Sequence, residues 1–360
     1  MKAAVLRATL SDLAIEEVAI SKPGPREVLI RNRACGVCHS DLHFIDGLYP
    51  APLPLVPGHE AAGVVEAVGD EVTAFKPGDH VVTCFSTFCG RCEYCVTGRL
   101  ALCTDASTKR KPFEAPRLSL NGTPVHQLLN VAGFAEQLLV HENGAVAIDP
   151  EMPFDRAALM GCAVVTGAGA VLNSAQVRPG EHVAVIGCGG IGLAAINAAK
   201  IAGAARIIAI DPVPAKRALA ERVGATDSFD SETEKLREAV VELTRGGVHH
   251  AIEAVGRIAA GELALSLLRR GGTATIVGMM PIHEKLPMRA LDLLAEKKLQ
   301  GCLMGSNRFP VDIPRLVDFY LAGRLDLDSL IAERIPLGEI NSALQKLRTG
   351  ETARSVVMFE

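Results

Sequence analysis

The chain has 360 residues, enough for about two domains. Its 49% hydrophobic and 22% charged residues describe an ordinary globular protein. A net charge of -4, 4% aromatics and no Trp exclude a basic, base-stacking surface, so no nucleic-acid partner is expected. The opening Met1-Lys2-Ala3-Ala4-Val5-Leu6-Arg7 lacks a secretory pattern, and with ten cysteines this points to a cytoplasmic, reducing setting where thiols hold metal rather than pair.

Residues 1 to about 150 read as short strands at 27–30, 63–68 and 80–83. Turns at Lys22-Pro23-Gly24-Pro25 and Lys76-Pro77-Gly78-Asp79 separate them, which is all-β punctuation. The stretch 104–130 shows no clear periodicity and carries the basic run Lys109-Arg110-Lys111-Pro112. It is expected to be a solvated loop, with a lid or an interface as the alternatives for a connection this long. Near residue 160 the pattern changes. Apolar runs at 183–186, 207–210, 251–253 and 273–277 alternate with helical periods at 191–202, 215–223 and 232–243. Alternation of this kind predicts a doubly wound α/β domain with a parallel sheet. The apolar stretch 182–199 contains four glycines and Asn197, so strand, turn and helix explain it better than a membrane span. Helices at 313–322 and 337–347 and a strand at 354–359 follow, without repeats or low-complexity tracts.

Three groups of residues carry chemistry. Cys89, Cys92, Cys95 and Cys103 form C-x2-C-x2-C-x7-C, a spacing that brings four thiolates to one tetrahedral point. Gly187-Cys188-Gly189-Gly190-Ile191-Gly192 fits G-x-G-x-x-G at a strand-to-helix junction. There Gly187 serves the turn, Gly189 the approach of a pyrophosphate and Gly192 the helix–strand packing, with phosphates at the helix N-terminus. Asp211 closes the next strand 19 residues after Gly192, where its carboxylate meets an adenosine ribose and repels a 2′-phosphate. NAD is therefore expected over NADP, with Lys216 and Arg217 able to soften the choice. The third group is scattered: Cys35-Gly-Val-Cys38-His39-Ser40-Asp41-Leu42-His43, Gly58-His59-Glu60 and Gly161-Cys162. No spacing rule joins these places, and each by itself reads as a core thiol or loop histidine.

Taken together, G-V-C-H-S-D at 36–41, G-H-E-A-A-G at 58–63, the four-cysteine lobe, G-C at 161–162 and the glycine fingerprint resemble the zinc-dependent medium-chain alcohol dehydrogenases. The likeness runs end to end and falls nearest the longer-loop, dimeric-type branch. It implies a GroES-like β catalytic domain at 1–163 and 304–360, with a structural zinc lobe at about 85–105 and a Rossmann domain at 164–303. Two zinc ions per chain are implied: Cys38, His59 and Cys162 at the catalytic one, and the four cysteines of the lobe at the structural one. By the same resemblance Glu60 stands near the metal and Asp41 orients the ligand histidine. Ser40 takes the substrate proton and His43 relays it. His39 and Arg354 match pyrophosphate contacts, Thr166 lies at the nicotinamide and Lys216 at the adenosine ribose. Tyr49 and Phe85 match pocket walls.

The implied reaction is reversible hydride transfer between a primary aliphatic or aromatic alcohol and NAD, giving an aldehyde. A thiol-adduct formaldehyde dehydrogenase is the alternative within the family; Cys162 speaks against the polyol branch, which tends to Glu there. A zinc ribbon for nucleic acid leaves the glycine fingerprint unexplained. A non-catalytic binder on the same scaffold should have lost ligands that are all in place. The partners implied are a small alcohol or aldehyde and a second copy of the chain, paired near 273–278 and 299–303. Cys35, Cys84, Cys188 and Cys302 read as small buried apolar residues.

Overall fold

The computed structural model describes residues 1–110, 114–350 and 354–360. It divides into one unit of residues 1–163, 308–322 and 331–360 and another of 164–307 and 323–330.

The first unit is built on the ten-residue strand Glu27–Gly36, buried along most of its length. It pairs antiparallel with Glu60–Val68, Gln137–His141 and Ser355–Met358. His80–Thr83 and Ala145–Ala147 extend the sheet on one side and Glu333–Pro336 on the other. Leu6, Ile30, Leu55, Phe134 and Leu138 fill the core beneath it. One detail of register matters for chemistry: Gly36 pairs with Glu60 and Cys35 with Ala61. Antiparallel pairing makes the end of one strand the beginning of its neighbour. Cys38, just past the first, therefore meets His59, just before the second.

The 104–130 connection is more structured than its pattern suggests. Leu118–Leu120 and Thr123–Gln127 form a hairpin that pairs with Ala19–Ile20 and Leu55–Val56. Its turn is Asn121-Gly122, both with positive φ (49° and 81°), a strong short-range hairpin signal that the poor alternation of the flanking residues obscured. Leu118 and Val125 are buried in a small satellite core. The basic run is not simply solvated. Arg110 Nε donates to Glu27 Oε1 at 3.0 Å and its NH1 to Ser21 Oγ at 2.7 Å, while Arg117 Nε donates to Glu27 Oε1 at 2.7 Å. Two guanidinium groups thus clamp one buried carboxylate at the start of the central strand. Lys111 and Pro112 lie outside the described residues.

The second unit is a six-stranded parallel sheet in the order Asp227–Phe229, Arg206–Ile210, His182–Ile186, Val248–Glu253, Leu268–Ile276, Lys298–Gly301. Helices Gly190–Ile201, Pro214–Val223, Leu236–Thr244 and Ile258–Leu267 connect the strands, as the alternation predicts. The helix expected from 232 starts at Leu236 because Lys235 sits in the left-handed region at φ 59°. Residues 304–307 and 323–330 belong with this unit rather than with the first, where the resemblance placed them. Leu325, Leu327 and Leu330 are buried, and the Asn197 amide donates to the Asp326 carbonyl and accepts from its N–H. Among the described residues one helical run, Phe154–Ala175, is long and apolar enough to cross a membrane, but 83% of its apolar window is buried in the protein. The stretch 182–199 is strand, turn and helix.

Candidate active site

The four lobe cysteines converge. Cys92 Sγ lies 3.4 Å from Cys95 Sγ and 3.8 Å from Cys103 Sγ, and Cys89 Sγ lies 3.9 Å from Cys95 Sγ. Four sulfurs about 2.3 Å from one zinc stand roughly 3.8 Å apart at tetrahedral angles. Backbone N–H groups already point at these sulfurs: Cys92 N to Cys89 Sγ at 3.3 Å and Cys89 N to Cys103 Sγ at 3.4 Å. Chiefly through the Arg91 backbone N–H, the Cys89 thiol is pulled down to about 7, while burial pushes Cys95 up to about 12. A dication suits this donor set, and four thiolates leave it no open position.

The second cluster joins residues far apart in sequence. One ligand atom from each of Cys38, His59, Glu60 and Cys162 lies within 4.8 Å of the others, and all four residues are buried. Strand register brings Cys38 to His59. Gly161 brings Cys162, because a Cβ there would stand 2.4 Å from the Thr83 carbonyl oxygen. Cys162 itself sits in a π-helical turn, Met160–Val164, a distortion common at functional sites.

Asp41 organises the cluster. Its Oδ1 faces His59 Nδ1 at 3.0 Å and accepts from Gly58 N at 3.0 Å, and its Oδ2 accepts from Cys38 N at 3.1 Å. With Nδ1 donating to Asp41, His59 Nε2 is left as a buried atom without a hydrogen-bond partner among the described residues, within reach of the other ligand atoms. Carboxylate, histidine and open lone pair form the usual outer support of a metal ligand. Burial opposes a charged His59, but Asp41 and Cys38 outweigh it and hold the imidazole well above its ordinary value. A hydrogen bond from Cys162, aided by Arg354, holds the Cys38 thiol well below its own. The donor set suits a zinc ion, which would take His59 Nε2 as one of its ligands.

Glu60 brings a carboxylate to the same cluster. Its Oε1 accepts from Arg354 NH2 at 2.7 Å and from Ala163 N at 3.2 Å, and its Oε2 has no partner among the described residues. Gly36 makes room for it: a Cβ there would stand 2.2 Å from Oε2. Burial pushes the Glu60 carboxyl up to about 7 against the pull of Arg354. Arg354 is 4% exposed, with NH1 on the Val37 carbonyl at 2.9 Å.

The helix His39–Ile45 carries His39, Ser40 and His43 past the cluster, with Ser40 and His43 three residues apart on one face. His43 stacks on Tyr49 at 5.9 Å, and burial lowers its pKa. Phe85 meets the His59 ring edge-on at 5.6 Å. Both expected pocket walls thus touch the expected chemical groups.

In the second unit the glycine turn has the form a dinucleotide needs. Gly187 has φ 91°, and a Cβ on Gly192 would stand 1.8 Å from the Gly187 carbonyl oxygen. A Cβ on Gly189 would meet nothing within 4 Å among the described residues, at the N-terminus of the helix Gly190–Ile201. Asp211 accepts from Cys188 N at 2.8 Å and Val213 N at 2.9 Å, which ties it to the turn. Thr166 is buried and donates to the Met304 sulfur at 3.4 Å, and Lys216 lies on the helix Pro214–Val223.

Residues 24–150 match the alcohol dehydrogenase GroES-like domain and residues 190–321 the zinc-binding dehydrogenase domain. The chain belongs to the zinc-dependent alcohol dehydrogenase family. It is 37% identical to an alcohol dehydrogenase zinc-binding domain protein from Burkholderia ambifaria, with a TM-score of 0.96 over 100% of this chain and 98% of that one. It is 34% identical to benzyl alcohol dehydrogenase from Acinetobacter calcoaceticus, with a TM-score of 0.93 over 100% and 99%. A zinc-binding dehydrogenase of Sinorhizobium meliloti 1021, bound to NADP, is 29% identical, with a TM-score of 0.83 over 99% of each chain. The fold is thus the expected GroES-like domain with a Rossmann-type sheet, and the protein is a zinc- and nicotinamide-dependent oxidoreductase. For such a dehydrogenase the sequence pattern missed two carboxylates: Glu27, clamped by two arginines, and Glu253, which ends its apolar strand as Asp211 ends its own.

Proposed function

We propose that this dehydrogenase interconverts a primary, preferably aromatic, alcohol and its aldehyde with NAD. The observation that carries the reading is the Cys38–His59–Cys162 cluster, with His59 Nε2 unpartnered and Asp41 behind it. Three such ligands leave a fourth position for substrate, unlike the closed lobe. When bound, the zinc there supplies Lewis acidity toward the substrate oxygen. Asp41 holds the His59 ring and the Cys38 backbone in place. Ser40 receives the hydroxyl proton, and His43, kept neutral by burial, carries it away from the site. Tyr49 and Phe85 give the substrate apolar walls, and the benzyl alcohol dehydrogenase relative supports an aromatic alcohol. The thiol-adduct alternative gains nothing from Arg110, which is engaged by Glu27 and Ser21.

Asp211 supports NAD over NADP, although the Sinorhizobium relative was bound to NADP. Arg354, which anchors Glu60, contributes to the cofactor contacts with His39, Thr166 and Lys216. A cytoplasmic setting keeps the ligand thiols reduced. A homodimer is supported by Lys298–Gly301, an edge strand of the parallel sheet, with Leu291, Leu294 and Leu303 exposed close to it in sequence. The test is a spectrophotometric screen of aliphatic, aromatic and thiol-adduct alcohols with both cofactors, beside zinc analysis. Turnover of benzylic alcohols with NAD and two zinc ions per chain is expected; NADP-only turnover, or none with any alcohol, overturns the reading.

A further inference from the structure

A second carboxylate is buried at the carboxyl edge of the parallel sheet, where ligands of open α/β sheets bind. Glu253, the last residue of Val248–Glu253, is 0% exposed. Its Oε1 accepts from Val255 N at 2.8 Å and Gly256 N at 2.7 Å, and its Oε2 from Gly278 N at 3.2 Å. One side chain therefore staples the loop after its own strand to the loop after Leu268–Ile276. The fit is close: a Cβ on Gly278 would stand 2.1 Å from Gly256 N, and one on Gly256 would stand 2.5 Å from the Met279 carbonyl oxygen. The stapled loop also reaches the glycine turn. Ala254 N donates to the Ile186 carbonyl at 2.9 Å, and a Cβ on Gly187 would meet Val255 Cγ2 at 2.6 Å. Val255 nevertheless stays 44% exposed, an apolar side chain held out at the sheet edge.

Strand order says which part of a dinucleotide lies there. The turn at Gly187–Gly192 follows His182–Ile186, and Asp211 follows the neighbour on one side, Arg206–Ile210. Val248–Glu253 is the neighbour on the other side. With pyrophosphate on the turn and the adenosine ribose at Asp211, the remaining half of the cofactor extends over the loops that Glu253 staples.

We propose that Glu253 is a positioning residue for the nicotinamide half of the cofactor: its carboxylate fixes the backbone of 255–256 and 278 and so sets the apolar wall at Val255. The inference rests on the nicotinamide-dependent reading above. Glu253→Gln keeps size and one acceptor but turns an amide toward a backbone N–H, a mismatch of one hydrogen bond. Binding of NAD and of ADP, which lacks the nicotinamide half, is measured by calorimetry on the zinc-loaded protein, beside thermal unfolding. The expected result is about tenfold weaker NAD binding with ADP binding within about twofold of wild type. Val255→Ala, which leaves the staple intact, is expected to weaken NAD about threefold and ADP not at all. Equal losses for NAD and ADP, or a lowered melting temperature with both affinities retained, overturn the proposal. Wild-type protein that binds neither ligand refutes the nicotinamide-dependent reading instead.

Discussion

The chain holds two metal sites of opposite construction. In the lobe, four ligands fall within fifteen residues, and Cys89, Cys92 and Cys103 are partly exposed. In the other cluster, three ligands span 125 residues of sequence and all are buried. The lobe is held by its own short loops and by backbone N–H groups on sulfur. The buried cluster is held by a strand register, a glycine approach and the Asp41 carboxylate. A metal in the lobe would stabilise local structure, whereas the surrounding fold prepares the other cluster in advance.

Removing a ligand from each site tests this contrast most strongly. His59→Ala should lower kcat/KM by about a thousandfold or more, roughly 4 kcal/mol, while the lobe keeps its zinc and the melting temperature moves by only a few degrees. Cys92→Ala should act in the reverse order, losing roughly 3–5 kcal/mol of stability or assembly first and activity only as a consequence. A Cys92→Ala protein with unchanged unfolding and lost turnover would erase the distinction.

Glu27→Gln probes the scaffold away from both sites. Removing the charge between Arg110 and Arg117 should cost about 3 kcal/mol. Burial raises the Glu27 carboxyl, but the two arginines outweigh it and hold it at about 2, below its unfolded value near 4.5. A depressed folded value means the stabilisation is fully present above pH 4.5 and fades as pH falls toward 2. Wild-type and variant melting temperatures should therefore converge between pH 4.5 and 2, with activity per folded molecule unchanged at neutral pH.

Asp41→Asn sharpens the view of the buried cluster. It preserves shape but weakens the acceptor of the His59 Nδ1–H, and chelator competition should show about 10- to 100-fold weaker zinc at this site alone. His43→Ala should have the smallest effect at alkaline pH. Burial lowers the His43 pKa, so a relay through the neutral ring should operate down through neutral pH. The loss should be about tenfold near pH 6–7, shrink as pH rises and be partly rescued by small amines. A pH-independent loss removes His43 from the proton path.

Legibility followed the range of the contacts. The strand–helix alternation of 182–277 declared the parallel sheet because each strand and helix shows its own period. The glycine turn with Asp211 was readable because its parts sit at the ends of neighbouring strands. Patterns failed at 104–130, where the Asn121-Gly122 hairpin was hidden by poor alternation, and at Leu236, where a left-handed Lys235 delayed the helix. Glu27 and Glu253 escaped notice because a lone carboxylate in a strand looks like any exposed one until its partners are known.

By itself, then, the sequence determined what short loops and local periods determine: the four-thiolate lobe, the dinucleotide turn and, through assembled motifs, the family. Only the tertiary structure decided that Cys38, His59 and Cys162 share one buried point, that Asp41 fixes the His59 tautomer, and that Arg354 turns inward to Glu60. Spacing along the chain constrains side chains only over short loops. Beyond that range, an antiparallel register and the room left by Gly36 and Gly161 decide which residues meet.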